Sequence, residues 1–187
     1  MNSNILKAIR ITLTLTVLLC VVYPLLVAGI GKLSKGKGDG ETIIANGKVV
    51  GYANIGQSFT KPQYFWGRPS AVGYNAAGSA GSNKGPSNPD YLQQVSDRID
   101  TLLKYHPYLK RADIPAEMVT ASGSGLDPDI SPEAAKIQIK RVADIRKLDE
   151  QKVVELVTSH TEKPLLGLFG PAKVNVLKLN VALDELK

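Results

Sequence analysis

Few side chains in this sequence are of the types that make and break covalent bonds. Histidine occurs twice, as His106 and His160, and cysteine once, as Cys20. His106 precedes Pro107 in a helix-breaking pair, and His160 falls at the end of a helical pattern, where a cation suits the helix dipole. Neither has a nucleophile or a second ligand at a spacing that makes a catalytic set. Asp127, Asp129 and Glu133 crowd one turn, but the run DPDISPE fails the calcium-loop spacing, and carboxylates ahead of a helix are ordinary capping chemistry. The stretch 31–38 approaches a phosphate-binding loop. Glycine stands there where the magnesium-binding hydroxyl belongs, and an apolar run precedes it in place of a strand. The remaining candidate is the run TASGSG at 120–125. Backbone N–H groups of Ser122, Gly123, Ser124 and Gly125 would suit an anion, with a helix start nearby at Ser131; a plain loop is the competing reading.

The element that places everything else is the uncharged run 11–31. As a helix it spans about 32 Å, which matches a hydrocarbon core of about 30 Å. Lys7 and Arg10 imitate the charged start of a secretory signal, but the run exceeds a signal's apolar core and no small-x-small cleavage site follows, so it reads as a retained span. Pro24 is placed to bend it. Residues 1–10 form a short flank, and the flanking cations nearly tie, with Lys7 and Arg10 before the run and Lys32, Lys35 and Lys37 after it. Orientation is left open by charge, the short flank favouring a cytoplasmic N-terminus.

After the span, residues 32–41 read as a flexible glycine and lysine linker and 42–187 as a single soluble domain. Half of the net charge of +6 lies before Thr42, leaving the domain near +3 with no basic block, so nucleic-acid binding is rejected. Asn46-Gly47 between β-branched arms predicts a hairpin. The stretch 57–89 is rich in glycine, serine, asparagine and proline, yet holds Phe59, Tyr64, Phe65, Trp66 and Tyr74, with Tyr91 just beyond. Disordered segments are poor in aromatics, so an ordered binding loop is expected. Asn88-Pro89 starts a helix that His106-Pro107 ends; 119–122 suits a short strand. Ser131-Pro132 starts a second helix, and Asp149 caps a third. Val174 and Val176 alternate as a strand before a closing helix. The fold class is α+β, or α/β, with few strands behind one transmembrane helix.

Several long stretches resemble one family, the C subunit of the Kdp potassium-transporting P-type ATPase of bacteria and archaea. They are the span with Tyr23-Pro24-Leu25, IGQSF from Ile55, RPSA from Arg68, GSNKGPSNP from Gly81 and VTASGSGLDPDISPEAA from Val119. Gln138, Arg141-Val142-Ala143 and VNVLKLNVALD from Val174 complete the match, in order and over nearly the full length. Trp66 and Lys140 depart from the histidine and proline that some members carry at those positions.

The resemblance implies a single-span accessory subunit of the prokaryotic plasma membrane, itself not an enzyme. Its partners would be a channel-like potassium-binding subunit, an ATP-hydrolysing subunit, a small accessory peptide and membrane lipid. Potassium is then the transported ion, and no cofactor is bound tightly. The family is described as a catalytic chaperone that raises the ATP affinity of the hydrolysing subunit in a transient complex with nucleotide. On that reading Ser122, Gly123, Ser124, Gly125 and Gln138 carry the nucleotide contact. The rival reading puts the domain outside the cytoplasm as a cap on the channel-like subunit. There Ser79, Ser82, Asn83 and Asn88 would offer oxygens to potassium, and Phe65, Trp66, Arg68, Tyr74 and Pro24 would form interfaces. A lone membrane-anchored binding domain is the alternative from a different class.

Overall fold

The computed structural model describes residues 2–186, which divide into two units between Thr42 and Ile43. The first unit is a helix in three pieces. Helix α1 (Asn2–Val17) passes into a π-helical turn (Leu18–Val22) and then into α2 (Tyr23–Gly31). Pro24 has no N–H to give to the preceding turn, and the widened turn lies directly before it. Asn4–Gly31 is long and apolar enough to cross a membrane, holding an 18-residue window of mean hydropathy 2.4. The helix therefore starts well before Ile11: residues 4–10 are mostly good helix formers with no breaker, so the expected flank is helical. The stretch 32–39 is a chain of hydrogen-bonded turns in which Ser34 Oγ donates to the Gly31 carbonyl at 2.7 Å.

The second unit starts with the hairpin β1 (Thr42–Ala45) and β2 (Lys48–Tyr52), turned at Asn46-Gly47, both with positive φ as the sequence requires. Helix α3 (Pro89–Tyr105) is capped by Asn88, whose Oδ1 accepts the Tyr91 N–H at 3.0 Å. Strand β3 (Asp129–Ile130) leads to α4 (Pro132–Lys136), capped by Ser131, and then to α5 (Ile139–Arg146). One amphipathic helix was expected over these two; it breaks at Ile137 and Gln138. Helix α6 (Glu150–Ser159) is capped by Asp149, followed by β4 (Thr161–Glu162), β5 (Lys173–Asn175) and α7 (Val176–Glu185).

Strand order is β3-β5-β4, all antiparallel, with Ile130 and Thr161 both opposite Val174. Two expectations shift. Residues 119–122 form no strand, because Val119 closes a 3-10 turn and the Ser122 N–H is drawn to the Pro69 carbonyl at 3.0 Å. Val176 is already helical, since Asn175 Oδ1 accepts the Lys178 N–H at 3.0 Å and caps α7. Ile130, Val142, Val153, Val174, Leu179 and Leu183 are the buried centre, each contributing about 1.5–3 kcal/mol by burial. The fold is α+β with few strands.

Candidate functional site

The stretch 57–88 has no regular element, so its buried backbone groups need side-chain partners. Two amides supply them. Asn180 on α7 accepts from the Phe65 N–H at 2.8 Å and donates to the Phe65 carbonyl at 3.0 Å. Gln138, between α4 and α5, does the same for Trp66, accepting at 2.8 Å and donating at 3.1 Å. Each amide thus imitates the edge of a neighbouring strand, and both are buried.

Arg141 on α5 completes the clamp. Its guanidinium donates to the carbonyls of Pro62 and Tyr64, to Gln138 Oε1 at 2.7 Å and to His106 Nε2 at 2.9 Å. It also lies 4.2 Å from the Trp66 ring centroid. Because Arg141 only donates, His106 Nε2 must be the bare nitrogen, and Nδ1–H faces the Leu102 carbonyl at 2.8 Å. Burial, with the Arg141 charge, lowers the His106 pKa to about 4, so this imidazole is neutral at physiological pH. Burial likewise lowers Arg141 to about 10, and it stays a cation.

The run 122–125 is clasped against the same loop. Ser70 Oγ donates to the Gly125 carbonyl at 2.7 Å, Ser79 Oγ donates to the Ser124 carbonyl at 2.9 Å, and Ser122 Oγ accepts the Gly125 N–H at 2.9 Å. Gly125 has φ of +69° and no room for a Cβ, which would stand 2.8 Å from the Ala80 carbonyl oxygen. Arg68 pairs with Asp127 at 3.0 Å, and the Tyr74 hydroxyl donates to the Arg68 carbonyl. Burial raises the Tyr74 pKa, with Asp127 adding to it, which keeps the hydroxyl a donor.

The expected site residues therefore part company. Gln138 and Ser122 are buried with their side-chain polar groups in internal bonds, and the Gly125 N–H is taken, whereas Gly123 and Ser124 are exposed, so the expected nucleotide set is split between the interior and the surface. Phe65 corrects the interface set, being wholly buried in the core. Trp66, Arg68 and Tyr74 do converge, lining one cavity of about 460 Å³ with Arg98 and Tyr105. The Tyr105 ring stands edge-on to Trp66 at 5.1 Å. Pro24 belongs to the first unit. Of the four potassium candidates, Asn88 Oδ1 caps α3 and Ser79 is bonded to Ser124. Asn83 is exposed with φ of +52°, and Ser82 shares a polar cavity of about 320 Å³ with Lys84 and Arg98, whose charges oppose a cation. Sequence reading missed Asn180 and Arg141 as the loop's supports, and with them Arg146, whose Nε donates to the Gln63 carbonyl at 2.8 Å. Their only signal was polar residues on otherwise apolar helix faces.

A family model described as K+-transporting ATPase, c chain, matches residues 5–185. The chain belongs to the KdpC family. A potassium-transporting ATPase KdpC subunit of Flavobacterium johnsoniae is 62% identical over 185 residues, covering 99% of this chain and 100% of the relative. One from Bacteroides fragilis is 56% identical over 188 residues, covering 99% and 98%. One from Caldanaerobacter subterraneus subsp. tengcongensis is 48% identical over 186 residues, covering 99% and 96%. KdpC membership over the full chain makes this a subunit of a potassium-transporting ATPase, and the clamp just described is built by residues inside that match.

Proposed function

We propose that the chain is a non-hydrolysing accessory subunit whose folded domain holds the potassium-transporting complex together and caps its channel-like subunit outside the cytoplasm. ATP hydrolysis belongs to a partner subunit. The observation that carries this reading is the cavity walled by Trp66, Arg68 and Tyr74, residue types that anchor interfaces, held open on a loop clamped from beneath by Gln138, Asn180 and Arg141. The internal bonds of the Gln138 amide, the Ser122 hydroxyl and the Gly125 N–H favour it over direct nucleotide contact by the full set. An effect on the ATP affinity of the hydrolysing subunit would then pass through subunit contacts. Potassium would reach the channel-like subunit beneath the cap.

Arg68→Ala tests this. The variant is expected to lower recovery of the assembled complex by about tenfold, as loss of an interface anchor does, while thermal melting of the chain changes little. Unchanged recovery with a destabilised chain would make Arg68 a structural residue and remove the cavity from the interface.

A further inference from the structure

The turn between β4 and β5 takes no part in the loop or its cavity. Residues 164–172 carry no charged side chain. Leu165, Leu166, Leu168 and Phe169 are the most exposed large apolar side chains among the described residues of the folded domain, at 69%, 81%, 81% and 63%. Their display is fixed. Leu165 and Phe169 exchange two backbone hydrogen bonds at 2.9 and 3.0 Å, and the N–H groups of Gly167 and Leu168 donate to the carbonyls of Pro164 and Leu165. Leu166 holds φ of +55° and Gly167 +72°. A branched residue such as leucine in left-handed backbone is uncommon, and here it keeps the side chain turned outward.

We infer that this turn is a preformed apolar knob that seats in an uncharged, concave apolar surface on another subunit of the transporter. The inference rests on the accessory-subunit reading. Charge decides for protein over lipid. Lys173, at the base of the turn, is held by Asp129 at 2.8 Å and Glu162 at 3.7 Å, which leaves Lys163 as the one cation flanking 164–172 in sequence with no ion pair among the described residues. Anchoring on anionic headgroups takes a cluster of basic residues, which this rim lacks. Rigidity points the same way. A locked turn loses little conformational freedom on entering a shaped pocket, an advantage that a fluid lipid surface does not reward.

The test uses the full chain with Cys20→Ser and an environment-sensitive fluorophore attached through Leu166→Cys. The probe is the remaining subunits of the transporter, purified in detergent without this chain. The expected result is a blue shift and loss of iodide quenching on assembly, with no such change in phosphatidylglycerol vesicles holding the chain alone. A Leu166→Asp, Leu168→Asp chain is expected to lower complex recovery by about tenfold with unchanged melting. A fluorophore that stays wet in the assembled complex overturns the knob and leaves the accessory-subunit reading standing. One that dries in vesicles of the chain alone replaces the protein pocket with lipid. If the unsubstituted chain fails to co-purify with the other subunits, both readings fall.

Discussion

The two irregular stretches of the folded domain, 57–88 and 164–172, handle apolar side chains in opposite ways. In the first, Phe65 is fully buried and Trp66 half-buried, and the backbone between them is bonded to amides more than 70 residues away in sequence. In the second, every large apolar side chain points outward and the backbone bonds only to itself within a few residues. A loop supported by distant buried polar groups is part of the core and sets a surface from below. A loop closed by its own turn is an appendage, whose apolar tip adds nothing to folding and is free for use by a partner.

The contrast is broken most severely at the clamp. Gln138→Leu leaves the Trp66 N–H and carbonyl unpaired and removes an acceptor from buried Arg141. It is expected to destabilise the domain by about 3–5 kcal/mol in chemical denaturation, the range for a broken buried network. A loss below about 1 kcal/mol would show that the loop stands without the amide.

The next effect is in pH. His106 is lowered from 6.5 to about 4, so between these values the unfolded chain takes up a proton that the folded chain refuses. Its contribution is whole above about pH 6.5, falls as pH drops towards 4, and amounts to on the order of 3 kcal/mol across that window. His106→Gln should flatten the dependence of the denaturation midpoint on pH there, and an equally steep profile in the variant would assign the slope to other groups. At the small end, Leu166→Ser should leave the same midpoint within about 0.5 kcal/mol, as an exposed substitution does. A large loss would make the turn part of the core.

Much of this was legible from the residues. Asn88-Pro89, Ser131-Pro132 and Asp149 mark helix starts by side-chain chemistry that acts within three residues, and Asn46-Gly47 marks the hairpin the same way. The aromatic loop was recognised as ordered. Its supports were not, because Gln138, Asn180 and Arg141 act on it across the fold, and a polar residue on a helix gives no sign of which backbone it will meet. Gln138 and Ser122 were read as ligand contacts for the same reason: amide and hydroxyl groups suit a nucleotide and a buried peptide equally well. The apolar turn at 165–169 gives no such sign in the sequence, since exposure is a property of the folded chain.

The central claim is that the folded domain serves assembly outside the cytoplasm and does not handle nucleotide, and sidedness tests it most directly. Oriented vesicles carrying the assembled complex are treated with protease on one side at a time, and the fate of the 43–187 unit is followed. The account predicts cleavage only when protease reaches the extracytoplasmic face. Cleavage only from the cytoplasmic face would contradict it, and would return the domain to the compartment where ATP is found.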